Sequence, residues 1–175
     1  MPHRPFEEAV LPHLDAAFNY ARWLTKSDAD AEDVVQDAAV RALRYFSSLR
    51  NGDARAWLLT IVRNTWYGRF STAGRAEREA FDDMKDTRPG EQLDPEALVI
   101  QQQAVERVHR AIEELPVDFR EVIVLRELEG LSYKEIAAVI EAPIGTVMSR
   151  LARGRERLLA VLQPESALGA TGELS

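Results

Sequence analysis

An all-α fold of two small helical domains joined by a flexible acidic linker is predicted by three features of the sequence. Apolar residues recur at three- and four-residue spacing almost throughout, as the 3.6-residue turn requires. No stretch joins sustained alternation to the β-branched and aromatic enrichment of a strand. Between the periodic halves, residues 72–94 mix small, charged, Pro and Gly residues with few apolar anchors, the composition of a linker. The expected organisation is therefore a domain over 1–71, a linker over 72–94, a domain over 95–163 and a disordered tail over 164–175.

Taken in order, the periodicity predicts helices at about 6–10, 12–25, 29–46, 54–71, 95–114, 117–128, 132–140 and 144–162. Two cores of this size are each marginal alone, which points to partners as a source of order. Of the 175 residues, 46% are hydrophobic, but no apolar run approaches a membrane-crossing length. The opening MPHRPFEEAV lacks the apolar stretch of a secretory signal. A cytoplasmic protein without membrane insertion is expected.

Cysteine is absent, which excludes disulfides, thiol redox chemistry and thiolate metal sites. His3, His13 and His109 are too scattered for a helical zinc site, so neither a metal nor another cofactor is expected. Asp28, Asp30 and Glu32 have the alternation that opens a calcium loop. However, the position needing Gly holds Asp33 and the one needing a bidentate Glu holds Ala39.

The net charge of −7 argues against indiscriminate phosphate binding, but the basic residues are unevenly placed. Residues 146–157 carry four arginines and one glutamate, while 72–103 carry four basic residues against eight acidic ones. The arginines fall inside a helix-turn-helix pattern running from about Leu131 to Leu158. Ile136, Ala137 and Ile140 form the apolar face of its first helix. Ile144, Val147, Leu151 and Leu158 form that of the second, and Pro143 and Gly145 punctuate the join. With that face inward, the 100° step per residue turns Met148, Ser149, Ala152 and Arg153 to a shared outer side. An Arg there suits guanine and a Ser suits a base edge or phosphate, while Arg150, Arg155 and Arg157 suit flanking phosphates. The alternative is an antiparallel helix pair with a solvated basic face. No His or Lys is spaced to activate Ser149 as a nucleophile.

The stretch LPVDFREVIVLRELEGLSYKEIAAVIEAPIGTVMSRLARGRERL resembles region 4 of extracytoplasmic-function sigma factors, in the sigma-70 family of bacterial RNA polymerase sigma factors. The resemblance implies duplex contacts at the minus-thirty-five promoter element by Arg126, Thr146, Met148, Ser149, Arg150, Ala152, Arg153 and Arg155. Met148 departs from the basic residue common there. Glu141 stands where many such motifs have Gly; because a left-handed backbone disfavours Glu, a differently shaped turn is expected.

In the N-terminal half, DADAEDVVQDAAVRALRYF places Val34, Val35, Ala38, Ala42 and Phe46 along one helical side. Asp33, Gln36, Asp37, Arg41 and Arg44 occupy the rest, which taken alone reads more readily as a solvated charged face than as an interface. AWLLTIVRNTWYGRF interleaves aromatic and cationic residues in the way that suits single-stranded DNA. Trp57 and Ile61 are assigned to the core, and Arg63, Asn64 and Tyr67 to the exposed side. Both segments resemble sigma region 2. The resemblance implies core RNA polymerase docking by Asp33, Gln36 and Asp37. It also implies contacts with melted minus-ten DNA by Ser48, Arg50, Asn51, Arg63, Asn64 and Tyr67, the loop FSSLRNGDA matching a pocket for a flipped-out base.

The implied function is promoter-specific transcription initiation under the control of an anti-sigma partner, with promoter DNA bound as duplex and as melted strand. The linker is either a ligand of the polymerase channel or a solvated tether. Two rivals remain: a helix-turn-helix regulator that does not associate with polymerase, and a sigma-like mimic that binds an anti-sigma factor. No catalytic constellation is present, so the protein is not expected to be an enzyme.

Overall fold

The computed structural model describes residues 5–49, 52–70 and 97–163, and every regular element among them is helical. In chain order they are α1 (Phe6–Val10), a 3-10 turn at Leu11–His13, α2 (Leu14–Thr25), α3 (Asp28–Arg44) and a second 3-10 turn at Phe46–Ser48. Next come α4 (Ala54–Arg69), α5 (Ala97–Glu113) and α6 (Val117–Ile123), which runs into a π-helical turn at Val124–Leu128. The chain ends in α7 (Tyr133–Ile140) and α8 (Ile144–Leu162). The all-α reading holds, and the helix bounds agree to within a few residues. The linker and tail expected at 72–94 and 164–175 lie outside the described residues.

Local chemistry sets the boundaries. Beyond α2, Lys26 turns left-handed at φ 59°, and the Ser27 hydroxyl then caps α3 by accepting from the Asp30 amide at 3.3 Å. The Asp53 carboxylate caps α4 through the Arg55 amide at 3.0 Å. Pro116 and Pro143 stand immediately before α6 and α8, where a missing amide costs nothing. Gly130 follows the π turn at φ 70°, a value glycine reaches without a Cβ clash. Ser132 and Glu135 close a reciprocal capping box on α7 at 3.1 and 2.9 Å.

Tyr20, Ala21 and Leu24 of α2, Val34, Ala38 and Ala42 of α3, and Leu58, Leu59 and Val62 of α4 pack together. The alanines are buried, so the helices approach closely at these points. In the C-terminal half, Val122, Ile123 and Leu125 meet Ile136, Val139, Val147 and Leu151. Gly154 serves the contact between α6 and α8, since a Cβ there would stand 2.9 Å from Ile123 Cγ1. The two sets are continuous, because α2 packs on α6 and α4 packs on α7. The two helical domains thus pack on each other, and their apolar clusters are continuous.

Candidate nucleic-acid interface

α7, its turn and α8 form the expected helix-turn-helix. Val147 and Leu151 are fully buried and Leu158 is partly buried, but Ile144 is 45% exposed and does not join the inward face. The turn corrects the expectation for Glu141. This residue does adopt the left-handed conformation, φ 53° and ψ 50°, and α7 ends there with the Ala142 amide donating to the Ala137 carbonyl at 3.1 Å. The turn is therefore left-handed at Glu141, at a backbone cost of about 1–2 kcal/mol for a residue with a Cβ.

Burying Val147 and Leu151 leaves Met148, Ser149, Ala152 and Arg153 together on the exposed side of α8, as the helical step predicts. Thr146 and Arg150 are half-buried at its edge. The four arginines are not equivalent. Arg155 donates twice to Glu127 Oε1, at 3.0 and 2.8 Å, and this bond holds its guanidinium above the ordinary range. Arg157 lies 4.9 Å over the Phe119 ring. Among the described residues, no ion pair or hydrogen bond engages the Arg150 or Arg153 side chains. Arg126 donates to the Leu131 carbonyl at 2.8 Å and sits 4.8 Å from the centre of the Tyr133 ring, bracing the chain where it enters the motif.

The α4 surface differs. Asn64 is exposed and Tyr67 half-buried, but Arg63, expected on the exposed side, is directed into the C-terminal half. Its Nε and Nη2 donate to the two carboxylate oxygens of Glu121 at 2.8 and 3.1 Å, and its guanidinium stacks 4.4 Å from the Tyr67 ring centre. Glu121 is fully buried and also accepts from the Tyr20 hydroxyl at 3.1 Å. Burial opposes the Arg63 charge, but the hydrogen bond and charge of Glu121 outweigh it and keep the guanidinium protonated. Burial, reinforced by the Glu121 charge, pushes the Tyr20 phenol well above its ordinary range. Sequence reasoning missed Glu121, yet it had a signal: Glu121 falls between Val117 and Leu125 at four-residue steps, a charge on an apolar stripe.

Further polar contacts line the same seam. Asn19 Nδ2 donates to Glu129 Oε1 at 2.6 Å, Arg55 Nη1 to the Glu129 carbonyl at 3.0 Å, and Arg22 approaches Glu113 at 3.8 Å. Asp53 is lowered by a hydrogen bond with the Glu135 carboxyl. Partial burial works against this shift, and the Arg55 and Ala56 amides add to it. In the loop before α4, the Ser48 hydroxyl donates to the Tyr45 carbonyl at 2.6 Å, while Arg50 and Asn51 lie outside the described residues.

On α3, Asp33, Gln36 and Asp37 are exposed in a row opposite the buried Val34, Ala38 and Ala42. Asp37 pairs with Arg69 at 3.1 Å. Val40 and Leu43 continue the exposed side at 58% and 60% exposure, an apolar extension that the sequence reading did not single out. Among the described residues no group of three His, Asp or Glu side chains gathers as a metal site, and no helix is long and apolar enough to cross a membrane.

The Sigma-70 region 2 model matches residues 9–76, and the Sigma-70 region 4 model matches 105–158. The chain is 38% identical over 143 residues to the ECF RNA polymerase sigma-E factor of Escherichia coli, covering 77% of this chain and 75% of that one. It is 33% identical over 162 residues to the ECF RNA polymerase sigma factor SigE of Mycolicibacterium smegmatis, covering 93% of this chain but only 63% of the relative's length. Among solved structures, the fold is similar to the sigma factor RpoE in complex with the anti-sigma factor NepR from Bartonella quintana. The TM-score is 0.73 at 29% identity, over 93% of this chain and 99% of that one. CnrH in complex with the cytosolic domain of CnrY is also similar, at TM-score 0.63 and 28% identity over 93% and 90% of the two chains.

Proposed function

The chain belongs to the extracytoplasmic-function (ECF) RNA polymerase sigma factors, and from that premise we propose that it directs core polymerase to particular promoters as a dissociable, non-catalytic subunit. The observation that carries the reading is the exposed set Met148, Ser149, Ala152 and Arg153 on α8, held outward by a buried opposite face within the matched region 4. In this reading α8 lies in the major groove of the minus-thirty-five element. Arg153 and Ser149 read base edges, and Thr146, Arg150 and Arg155 steady phosphates. Arg126 acts by fixing the entry to the motif.

Asp33, Gln36 and Asp37, with the apolar Val40 and Leu43 beside them, form the polymerase-docking surface of α3. Ser48, Arg50, Asn51, Arg63, Asn64 and Tyr67 hold melted minus-ten DNA, with unstacked bases resting on the aromatic ring and phosphates on the cations. The net charge of −7 fits a factor that binds DNA weakly alone and acts inside a holoenzyme. Because RpoE is described in complex with an anti-sigma factor, an anti-sigma partner in the cytoplasm is part of the proposal.

Run-off transcription with core polymerase tests it: the chain should support initiation from a subset of candidate promoters. Failure at every promoter, with polymerase binding intact, would favour a sigma mimic. Absence of polymerase binding at low salt would favour a stand-alone regulator. The double variant Asp33→Ala with Gln36→Ala is expected to reduce holoenzyme recovery in a pull-down severalfold while leaving duplex binding by α8 unchanged. Undiminished recovery would remove both residues from the interface.

A further inference from the structure

We infer that α8 meets DNA through two unlike flanks, and that Met148, on the apolar one, recognises the C5-methyl group of thymine. The inference rests on the placement of α8 in the major groove and names a base which that placement leaves open. Ile144, Met148 and Ala152 follow one another at four-residue steps, each turned about 40° from the last and displaced about 6 Å along the axis. Ile144 is 45% and Met148 54% exposed, and Ala152 is exposed as well. Arg155 lies on this flank too, but its guanidinium is drawn off to Glu127 at 2.8 Å. Ser149 and Arg153 stand one position on from Met148 and Ala152, about 100° further round. The helix is thus divided lengthwise into an apolar and a polar strip, and the two meet on its outer side.

A helix that enters the groove with Ser149 and Arg153 against base edges carries Met148 in with them. The major-groove edges of the bases are donors and acceptors, with one apolar exception, the methyl group of thymine. Over guanine, adenine or cytosine the Met148 side chain would strip water from a polar edge and offer it no strong partner. Over thymine it covers a methyl group instead. Methionine is unbranched and polarizable, so it follows the methyl without a hydrogen bond to fix its position. Recognition then depends on the methyl group and not on the rest of the base. The minus-thirty-five element therefore carries thymine beside the bases read by Ser149 and Arg153, and 5-methylcytosine, which presents the same methyl, is preferred to cytosine there.

The test uses the full chain assembled with core polymerase. The holoenzyme selects its minus-thirty-five element from duplexes randomised at that element, and each selected thymine is then replaced by deoxyuridine, which lacks only the methyl group. One of these replacements should weaken binding about fourfold, the worth of one methyl group removed from water. Met148→Ala should lose affinity for the thymine duplex and become indifferent to that deoxyuridine, while Met148→Leu should keep the sensitivity. At the same position, changing cytosine to 5-methylcytosine should tighten binding by the parent chain by a similar factor and leave Met148→Ala unaffected. Arg153→Ala, which alters the polar flank, should remain sensitive to deoxyuridine.

Because Met148 is exposed, its replacement by alanine leaves the buried side of α8 intact, and an unchanged urea midpoint checks this. A selected element without thymine, indifference of the parent chain to every deoxyuridine, or sensitivity that survives in Met148→Ala overturns the methyl contact. Weaker polymerase binding by Met148→Ala, with the parent chain indifferent to deoxyuridine, also overturns it and gives the apolar flank to the polymerase. If no element is selected at all and Arg153→Ala binds promoter as the parent chain does, the placement of α8 in the groove fails instead.

Discussion

α8 and α4 both carry arginine on a helical face suited to nucleic acid, yet one face is open and the other is occupied. On α8 the inward side is apolar and complete, so Met148, Ser149, Ala152 and Arg153 have nothing within the described chain to turn toward. On α4 the neighbouring surface contains Glu121, a buried carboxylate, and Arg63 turns to it. Cationic residues at helical spacing therefore identify a helix that can meet phosphate, but not whether its charge is available. Availability is set by the carboxylates that the tertiary fold brings near. Even α8 shows this in part, since Arg155 is engaged by Glu127 while Arg153 has no such partner among the described residues.

The largest expected effect strikes the occupied side. Arg63→Ala leaves the Glu121 carboxylate fully buried, with the Tyr20 hydroxyl its one remaining side-chain donor among the described residues. Breaking one member of such a pair costs about 3–5 kcal/mol when the remaining charge cannot reach water. Separation of the halves relieves part of this, so the variant should both open and lose stability, seen as a lower urea midpoint. Neutralising the orphan with Glu121→Gln should recover most of the loss. An unchanged midpoint in Arg63→Ala would mean the pair does not form in solution and would erase the contrast with α8.

On the open side the effect is smaller and of a different kind. Arg153→Ala should weaken discrimination of the minus-thirty-five element by about 1–3 kcal/mol, the range for a bidentate base contact. Polymerase binding and the urea midpoint should stay at parent values, because the side chain is exposed and no ion pair or hydrogen bond engages it among the described residues. Equal losses in promoter recognition and polymerase binding would show that α8 and the docking surface are not separable.

Elements governed by local rules were legible from residue order. The helix bounds follow from periodicity and from caps such as Ser27, Asp53 and Ser132, each acting within three residues. The two sides of α8 follow from the helical step alone. What escaped depends on distant partners. Arg63 and Glu121 are 58 residues apart, and Tyr20 and Glu121 are 101 apart, so no window contains both groups. Arg63 was consequently placed on the exposed side by its aromatic and cationic neighbours, which describe α4 but not what packs on it. The same holds for Gly154, whose small size matters only because Ile123 packs against it.

Gly154→Ala sharpens the comparison by pressing on the inward side of α8 without touching its outer one. The new Cβ would meet Ile123 Cγ1 at 2.9 Å and Cδ1 at 3.1 Å, so α8 or the isoleucine must shift. Overpacking costs about 1–3 kcal/mol, and the better helix propensity of alanine offsets up to about 1 kcal/mol of it. A net loss on the order of 1 kcal/mol in thermal or urea unfolding is expected. A gain in stability would indicate that Ile123 yields easily and that the close approach of α6 to α8 is not required.

Glu141→Gly should have the smallest effect and the opposite sign. The left-handed backbone at φ 53° costs a glutamate about 1–2 kcal/mol, which glycine avoids. The greater freedom of glycine in the unfolded chain takes back about 0.4–1 kcal/mol. The net gain should be below about 1 kcal/mol. The test separates aim from stability: if Glu141 merely tolerates the turn, promoter selectivity is unchanged in Glu141→Gly while the unfolding midpoint rises. If selectivity shifts as well, the strained turn contributes to how α8 is presented to the groove. Openness would then be necessary but not sufficient for reading DNA.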